Sequence, residues 1–289
     1  MGPMKTSRGR RLFVGSVLVA FGAVSAIIQF VGQLFPRAFS EPGLVTVVSL
    51  VSCLAYGVAR SWPRQAVECH FSRPEMYVSI VPGDLFDEPG HLVVGFSDTF
   101  DTRVDDGVVV SRASVQGQLL ARCYNDDTGR LDADIATALH GTRPVARERR
   151  SDKPAGKLER YEMGTVAVLG ERPRLFFGVA YSRIGNDCVA VSSVEDLWFS
   201  LNRLWDAVYR YGEHETVAMP LLGSGLSRND FLDPESLLRL ILLSFVTRSR
   251  ERRICRELRI VLRPDVFRQI DLHEAEAFLG SLRDGLCPA

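Results

Sequence analysis

Two stretches without a single charged side chain dominate the first sixty residues, Leu12 to Phe35 and Pro42 to Ala59. An α-helix rises about 1.5 Å per residue, so roughly 20 apolar residues span the hydrocarbon core of a bilayer. The first run is ample and the second is near the lower limit. Only Pro36-Arg37-Ala38-Phe39-Ser40-Glu41-Pro42 lies between them, a link so short that the two helices must be antiparallel. The expectation is a two-helix transmembrane hairpin over residues 1–64, followed by a body over 65–289. Lys5, Arg8, Arg10 and Arg11 precede the first run, Arg60 and Arg64 follow the second, and the turn carries Arg37 against Glu41. Positive flanks stay in the cytoplasm, which puts both termini inside and the turn outside. A signal peptide also starts basic, but this apolar stretch is too long and a second follows at once.

Ser49, Cys53 and Gly57 recur every four residues, a small-residue stripe that allows close helix approach, either within the hairpin or between hairpins. Gln29 and Gln33 share a face near the end of the first helix, where amides in lipid seek partners.

The chain has 35 basic and 35 acidic side chains, but six of the basic ones and only Glu41 fall in residues 1–60. The remainder carries 29 basic against 34 acidic side chains. A mildly acidic body argues against nucleic acid, which requires a basic surface. The local exception is Arg248, Arg250, Arg252, Arg253, Arg256 and Arg259, which reads as a solvated helix end or turn. Six scattered cysteines without a CxxC, and one adjacent pair, Cys69-His70, indicate neither a disulfide framework nor a metal site.

Within the body, 62–74 reads as a connector. Short β-rich runs at Met76–Val81, His91–Phe96, Thr165–Leu169, Leu175–Tyr181, Thr216–Met219 and Leu258–Leu262 are predicted strands, and Gly107–Val110 a strand or ordered loop. Helices are predicted at Ser114–Cys123, Leu131–Leu139, Val194–Tyr211, Pro234–Arg248 and His273–Leu282, the first capped by Ser111 or Ser114. Arg143–Arg160, dense in charge with two prolines, reads as a solvent-facing loop. Alternating strands and helices imply a largely parallel or mixed α/β sheet covered on both faces, with ligands beyond the carboxyl ends of the strands.

Two loops directly follow strands. Gly223-Ser224-Gly225, flanked by Leu222 and Leu226, lets the backbone approach a diphosphate closely, or is an ordinary tight turn. It lacks the P-loop and GxGxxG patterns, and with leucine at 222 it fails GxSxG, so Ser224 is no hydrolase nucleophile. In Gly83-Asp84-Leu85 the carboxylate can accept from an amine on a base. Ser97, Thr99, Phe100, Asp101 and Thr102 form a short polar segment after a strand, suited to ribose hydroxyls or simply a loop. Gln116 and Gly117 fall in the first turn of a helix, where free amides favour an anion.

This order of motifs resembles the macro domain, an α/β fold that binds ADP-ribose. Gly83-Asp84-Leu85 matches the strand-loop whose aspartate meets the adenine amine, and Pro220–Leu226 matches the loop that cradles the diphosphate and distal ribose. More narrowly the chain is similar to the membrane-anchored macro-domain effectors of bacterial Thoeris antiphage systems. The further matching segments are Thr99–Thr102, Ser114–Gln118, Gly164–Val168, Val179–Arg183 and Glu195–Trp198, together with the preceding helix pair. The resemblance implies an inner-membrane protein that takes a nucleotide second messenger, an ADP-ribose derivative such as an amino-acid conjugate, made from NAD by a TIR-domain enzyme. It further implies homo-oligomerisation and damage to membrane lipids. Hydrolytic macro domains carry an asparagine-rich loop after their second strand. Gly95-Phe96-Ser97-Asp98-Thr99 has no asparagine, so binding without turnover is expected, with no catalytic residue, metal or cofactor, and a membrane-tethered ADP-ribosyl hydrolase is the alternative.

Overall fold

The computed structural model describes residues 7–34, 42–60, 66–104, 109–224 and 232–285. It divides into two compact units, Met1–Gln65 and Ala66–Ala289.

The first unit contains α1 (Ser7–Leu34) and α2 (Pro42–Arg60), which pack against one another. Proline is tolerated at the start of α2 because the first helical N–H has no partner to lose. Ser49 is half-buried and Cys53 fully buried, while Val14, Leu18, Val19, Phe21, Ile27 and Phe30 of α1 are exposed. Val47, Val48, Leu50 and Val51 of α2 are exposed as well. Side chains are described for 14, 15, 17–30 and 33 of α1 and for 43, 45–53 and 56 of α2, so Gly57 of the small-residue stripe lies outside them. Among the described residues no helix is long and apolar enough to cross a membrane.

The second unit is a mixed α/β sheet flanked by helices. Its strands are β1 (Val67–Ser72), β2 (Glu75–Pro82), β3 (His91–Ser97), β4 (Ala146–Arg147), β5 (Glu159–Arg160), β6 (Val166–Glu171), β7 (Arg174–Ile184), β8 (Ala190–Val191), β9 (Val217–Pro220) and β10 (Glu257–Leu262). The main sheet runs β1-β2-β10-β9-β3-β7-β6, with β8 paired to β7 and β4-β5 a separate ribbon. From β2 to β7 every neighbour is parallel, and β1 and β6 close the two edges antiparallel. Parallel strands need crossovers, which cover both faces and leave the central strands apolar throughout. In β3 this divides successive residues between two cores, Leu92, Val94 and Phe96 on one face and Val93 on the other.

The first face is covered by α3 (Val115–Cys123) and α4 (Thr128–Ala138), the second by α5 (Val194–Tyr211), α6 (Pro234–Glu251) and α8 (Leu272–Asp284); α7 (Pro264–Phe267) follows β10. On the second face Trp205 is wholly buried, donates from Nε1 to Ser244 Oγ at 3.0 Å and meets Phe245 edge-on at 5.2 Å.

Two expectations change, and a third is narrowed to one of its alternatives. The connector at 62–74 contains β1, whose alternation of buried Val67, Cys69 and Phe71 with exposed neighbours is a period-2 edge-strand pattern. Of Gly107–Val110 the described part, 109–110, is a bend, which agrees with the loop alternative; 105–108 lie outside the described residues. Arg143–Arg160 is not simply solvent-facing: it forms the β4-β5 ribbon and carries Lys153 at 0 % exposure.

His91, buried at the start of β3, accepts from the Leu175 amide at Nδ1 (3.1 Å), so the proton sits on Nε2, 3.3 Å from the Gly212 carbonyl. Burial disfavours the imidazolium more than the Gly212 carbonyl and Glu215 favour it, which lowers the pKa below the ordinary 6.5. A depressed basic group binds fewer protons folded than unfolded, so its contribution is complete above pH 6.5 and is lost as pH falls toward the folded pKa. His91→Gln should therefore flatten the fall in melting temperature between about pH 7 and about pH 5.5. An identical fall in wild type and variant would contradict this account.

Candidate functional site

The parallel strands all point their carboxyl ends to one edge of the sheet, and the loops singled out above leave from there. Gly83-Asp84-Leu85 follows β2, the segment from Ser97 to Thr102 starts on the last residue of β3, and Leu221–Ser224 follows β9. Between β2 and β3 stand only β10 and β9. Three strand spacings span about 14 Å, the reach of an extended nucleotide diphosphate. Gly225 and Leu226 lie outside the described residues.

At the β2 end, Gly83 is anchored by its amide to the Leu262 carbonyl at 3.0 Å. Asp84 caps a 3₁₀ turn, Leu85–Asp87, accepting from the Phe86 amide at 3.0 Å. Its other oxygen accepts from Arg122 Nη2 of α3 at 2.7 Å, and the same guanidinium lies 5.3 Å from the Phe86 ring centroid. Burial raises the Asp84 pKa, but the Phe86 amide and Arg122 outweigh it, and the carboxyl sits below its ordinary value. It is an ionised acceptor, partly exposed, with lone pairs beyond those already used. Leu85 and Phe86 are buried beneath it.

The β9 end turns at once. Ser224 returns its amide (3.2 Å) and hydroxyl (2.6 Å) to the Leu221 carbonyl, and Gly223 has φ +87°, a conformation glycine adopts freely. Leu221 and Leu222 are buried and fix the turn to the core. Gly95, in the adjacent β3, lies under the Tyr181 ring: a Cβ there would sit 2.4 Å from the Tyr181 ring and 3.1 Å from Leu222. Tyr181 and Leu222 thus meet over a strand that only glycine lets them approach.

The segment after β3 is spent inward. Thr99, Phe100, Asp101 and Thr102 are all buried. Lys153 Nζ reaches Asp101 at 3.2 Å and the Lys157 carbonyl at 2.6 Å, and the Thr99 hydroxyl donates to Asp101 at 2.5 Å. The Lys157 amide and Gln116 Nε2 also bond Asp101, at its carboxylate and its carbonyl respectively. Thr102 donates to Asp132 at 2.6 Å, and Phe100 stacks on Phe96 at 5.4 Å. Asp98 holds Arg160 at 2.8 Å and the Ile184 amide at 3.0 Å. Leaving one member of a buried ion pair without its partner costs about 3–5 kcal/mol, so this network holds the β3 end and the 146–160 ribbon as one piece. Ser97, half-buried and 3.2 Å from the Thr99 hydroxyl, stands at its margin.

Gln116 and Gly117 do occupy the first turn of α3. Their amides are not all free, because Ser114 caps the helix and accepts from the Gly117 amide at 3.0 Å. Glycine is needed at 117 for packing: a Cβ would lie 2.5 Å from the Ser111 carbonyl. Sequence reasoning missed Arg122. Its only signal was a cation in the last turn of a helix, where the dipole alone would explain it.

This sheet order, with its loops gathered at one edge, has relatives. The family model for the macro domain of Thoeris protein ThsA matches residues 78–263.

The chain belongs to the Thoeris ThsA macro-domain family.

It is 28% identical over 207 residues to Thoeris protein ThsA of Bacillus amyloliquefaciens strain Y2, covering 70% of this chain and 67% of that protein. Two point mutants of the Oceanobacillus iheyensis macrodomain share the fold at 12% identity. One has a TM-score of 0.52 over 75% of this chain and 94% of its own, the other 0.50 over 74% and 100%.

Proposed function

We propose that this Thoeris macro-domain protein senses an ADP-ribose-derived signal at the carboxyl edge of its parallel strands and acts without turning it over. The observation that carries the reading is the alignment of Asp84 and the Gly223 turn along that edge, two strands apart, in a member of the Thoeris ThsA macro-domain family. Asp84, with Arg122 beside it, supplies the acceptor for the adenine amine. Gly83 and Leu85 set that acceptor, and Leu222 to Leu226 cradle the diphosphate. Ser97 and the Gln116-Gly117 turn border the ribose, while Thr99, Phe100, Asp101 and Thr102 act as the frame that holds this border. Binding without hydrolysis is supported by the loop after β3, which has no asparagine, and by His91, the buried histidine of β3, which stands at the opposite end of that strand.

The upstream source of the signal would be a TIR-domain enzyme. The output would be self-assembly and disturbance of the inner membrane by the α1-α2 pair, with both termini cytoplasmic. Charge-free runs, basic flanks and exposed apolar side chains on both helices support that half of the proposal. Cysteine-accessibility mapping in cells should label the 36–41 turn from outside and residue 289 only after permeabilisation; external labelling of residue 289 would refute the orientation.

The nucleotide half is tested by calorimetry on the full chain in neutral detergent with ADP-ribose and an amino-acid conjugate of ADP-ribose. Asp84→Ala should weaken binding about 10-fold, the worth of one hydrogen bond to a charged group, with the melting temperature little changed. Unchanged affinity would remove Asp84 from the site, and release of products during titration would favour the hydrolase.

A further inference from the structure

The arginine run does sit at the end of α6, and two of its members, Arg248 and Arg252, also line a cleft. On the α5-α6 face a cleft of about 730 Å³ opens between the second half of α5, the C-terminal turn of α6 and the 162–166 segment leading into β6. Arg203, Arg210, Arg248 and Arg252 line it, against the carboxylates of Asp206 and Glu162. None of its lining residues belongs to the nucleotide site proposed above.

Arg248 Nη2 and Arg252 Nη2 both close on one oxygen, Asp206 Oδ1. Two guanidinium groups thus share one carboxylate, so among the described residues Arg252 has no acidic partner of its own. Arg248 also reaches Glu251 at 2.7 Å, but Arg252 turns instead over the Tyr209 ring, 4.4 Å from its centroid. Among the described residues the Nε donors of both arginines have no acceptor. Arg203 stands 3.9 Å from Glu162 and lies over Phe199 at 5.2 Å, a loose pairing for a charged group. A planar fork of donors fits phosphate oxygens in pairs, and the cleft volume falls in the range that holds a small ligand. Tyr209 and Tyr211 are 40 % and 44 % exposed and supply aromatic surface at its wall.

We propose that this cleft is a second anion site, which takes a phosphate-bearing small molecule through Arg248 and Arg252, with Asp206 as the resident carboxylate that the phosphate displaces or shares. A purely structural role, tying the end of α6 to α5 and complementing the helix dipole, makes a different forecast for Asp206. If Asp206 only holds the two helices together, Asp206→Asn loosens the fold and creates no anion affinity. If it occupies a phosphate position, Asp206→Asn frees both arginines and tightens anion binding.

The test is calorimetry on the full chain in neutral detergent with inorganic tripolyphosphate, without divalent cations and at fixed ionic strength. Wild type should bind, Arg248→Gln/Arg252→Gln should weaken binding by at least about 10-fold, and Asp206→Asn should strengthen it. Should the double variant fail to melt cooperatively, Arg203→Gln/Arg210→Gln on the other lining arginines takes its place, with weaker binding expected. No heat with wild type, binding indifferent to all four arginines, or weaker binding by Asp206→Asn would each overturn the proposal. Indifference to the arginines would assign the probe to the loop at Gly223 instead.

Discussion

Five neighbouring strands that all run the same way leave the chain little choice. Each must be buried on both faces, because the crossovers that connect parallel neighbours cover the sheet from above and below. Each must also release its following loop at the same edge. From β2 through β10, β9 and β3 to β7, that constraint brings together segments separated by more than a hundred residues, from Gly83 to Ser224. The candidate site is thus a consequence of strand direction before it is a consequence of any side chain. Asp84, the Gly223 turn and the polar segment after β3 are neighbours because β2, β9 and β3 end together.

A shared edge alone does not make a binding surface, and the second layer of the account is how each loop is stiffened. Asp84 is held from two sides, by an amide of its own turn and by Arg122 from α3. The β9 turn is closed by Ser224 on Leu221 and pinned by two buried leucines. The β3 segment is the most heavily tied, through Asp101 to Lys153, Lys157, Thr99 and Gln116. A charged group is buried here only with its partner, and the partner comes from the 146–160 ribbon. Preorganisation of this kind reduces the ordering cost that a ligand would otherwise meet.

Much of the fold could be read from the chain because periodicity survives burial. The helical spacing of Leu197, Leu201, Leu204 and Val208 gives α5, and the short β-rich runs give most of the sheet. The missed edge strand, β1, carries a period-2 pattern in Val67, Cys69 and Phe71, but its charged and histidine neighbours and the nearby Trp62 and Pro63 disguised it as a connector. The site was legible in part. Motif order located the loops, whereas the inward use of Thr99, Asp101 and Thr102 could not be seen, since a polar triad reads the same whether it faces water or a buried lysine more than fifty residues away. Arg122 and the pairing of Arg248 and Arg252 on Asp206 are likewise products of packing between elements distant in sequence.

The two proposed sites, a nucleotide edge of the sheet and an arginine cleft beside α5 and α6, make competing forecasts for where ADP-ribose lands. Hydrogen exchange on the full chain in nanodiscs, with and without saturating ADP-ribose, separates them directly. The account predicts slowed exchange in 83–87 and 221–224, with the segments 162–166 and 203–211 unchanged. Protection confined to 162–166 and 203–211, with the carboxyl edge of the parallel strands unaffected, would contradict its central claim.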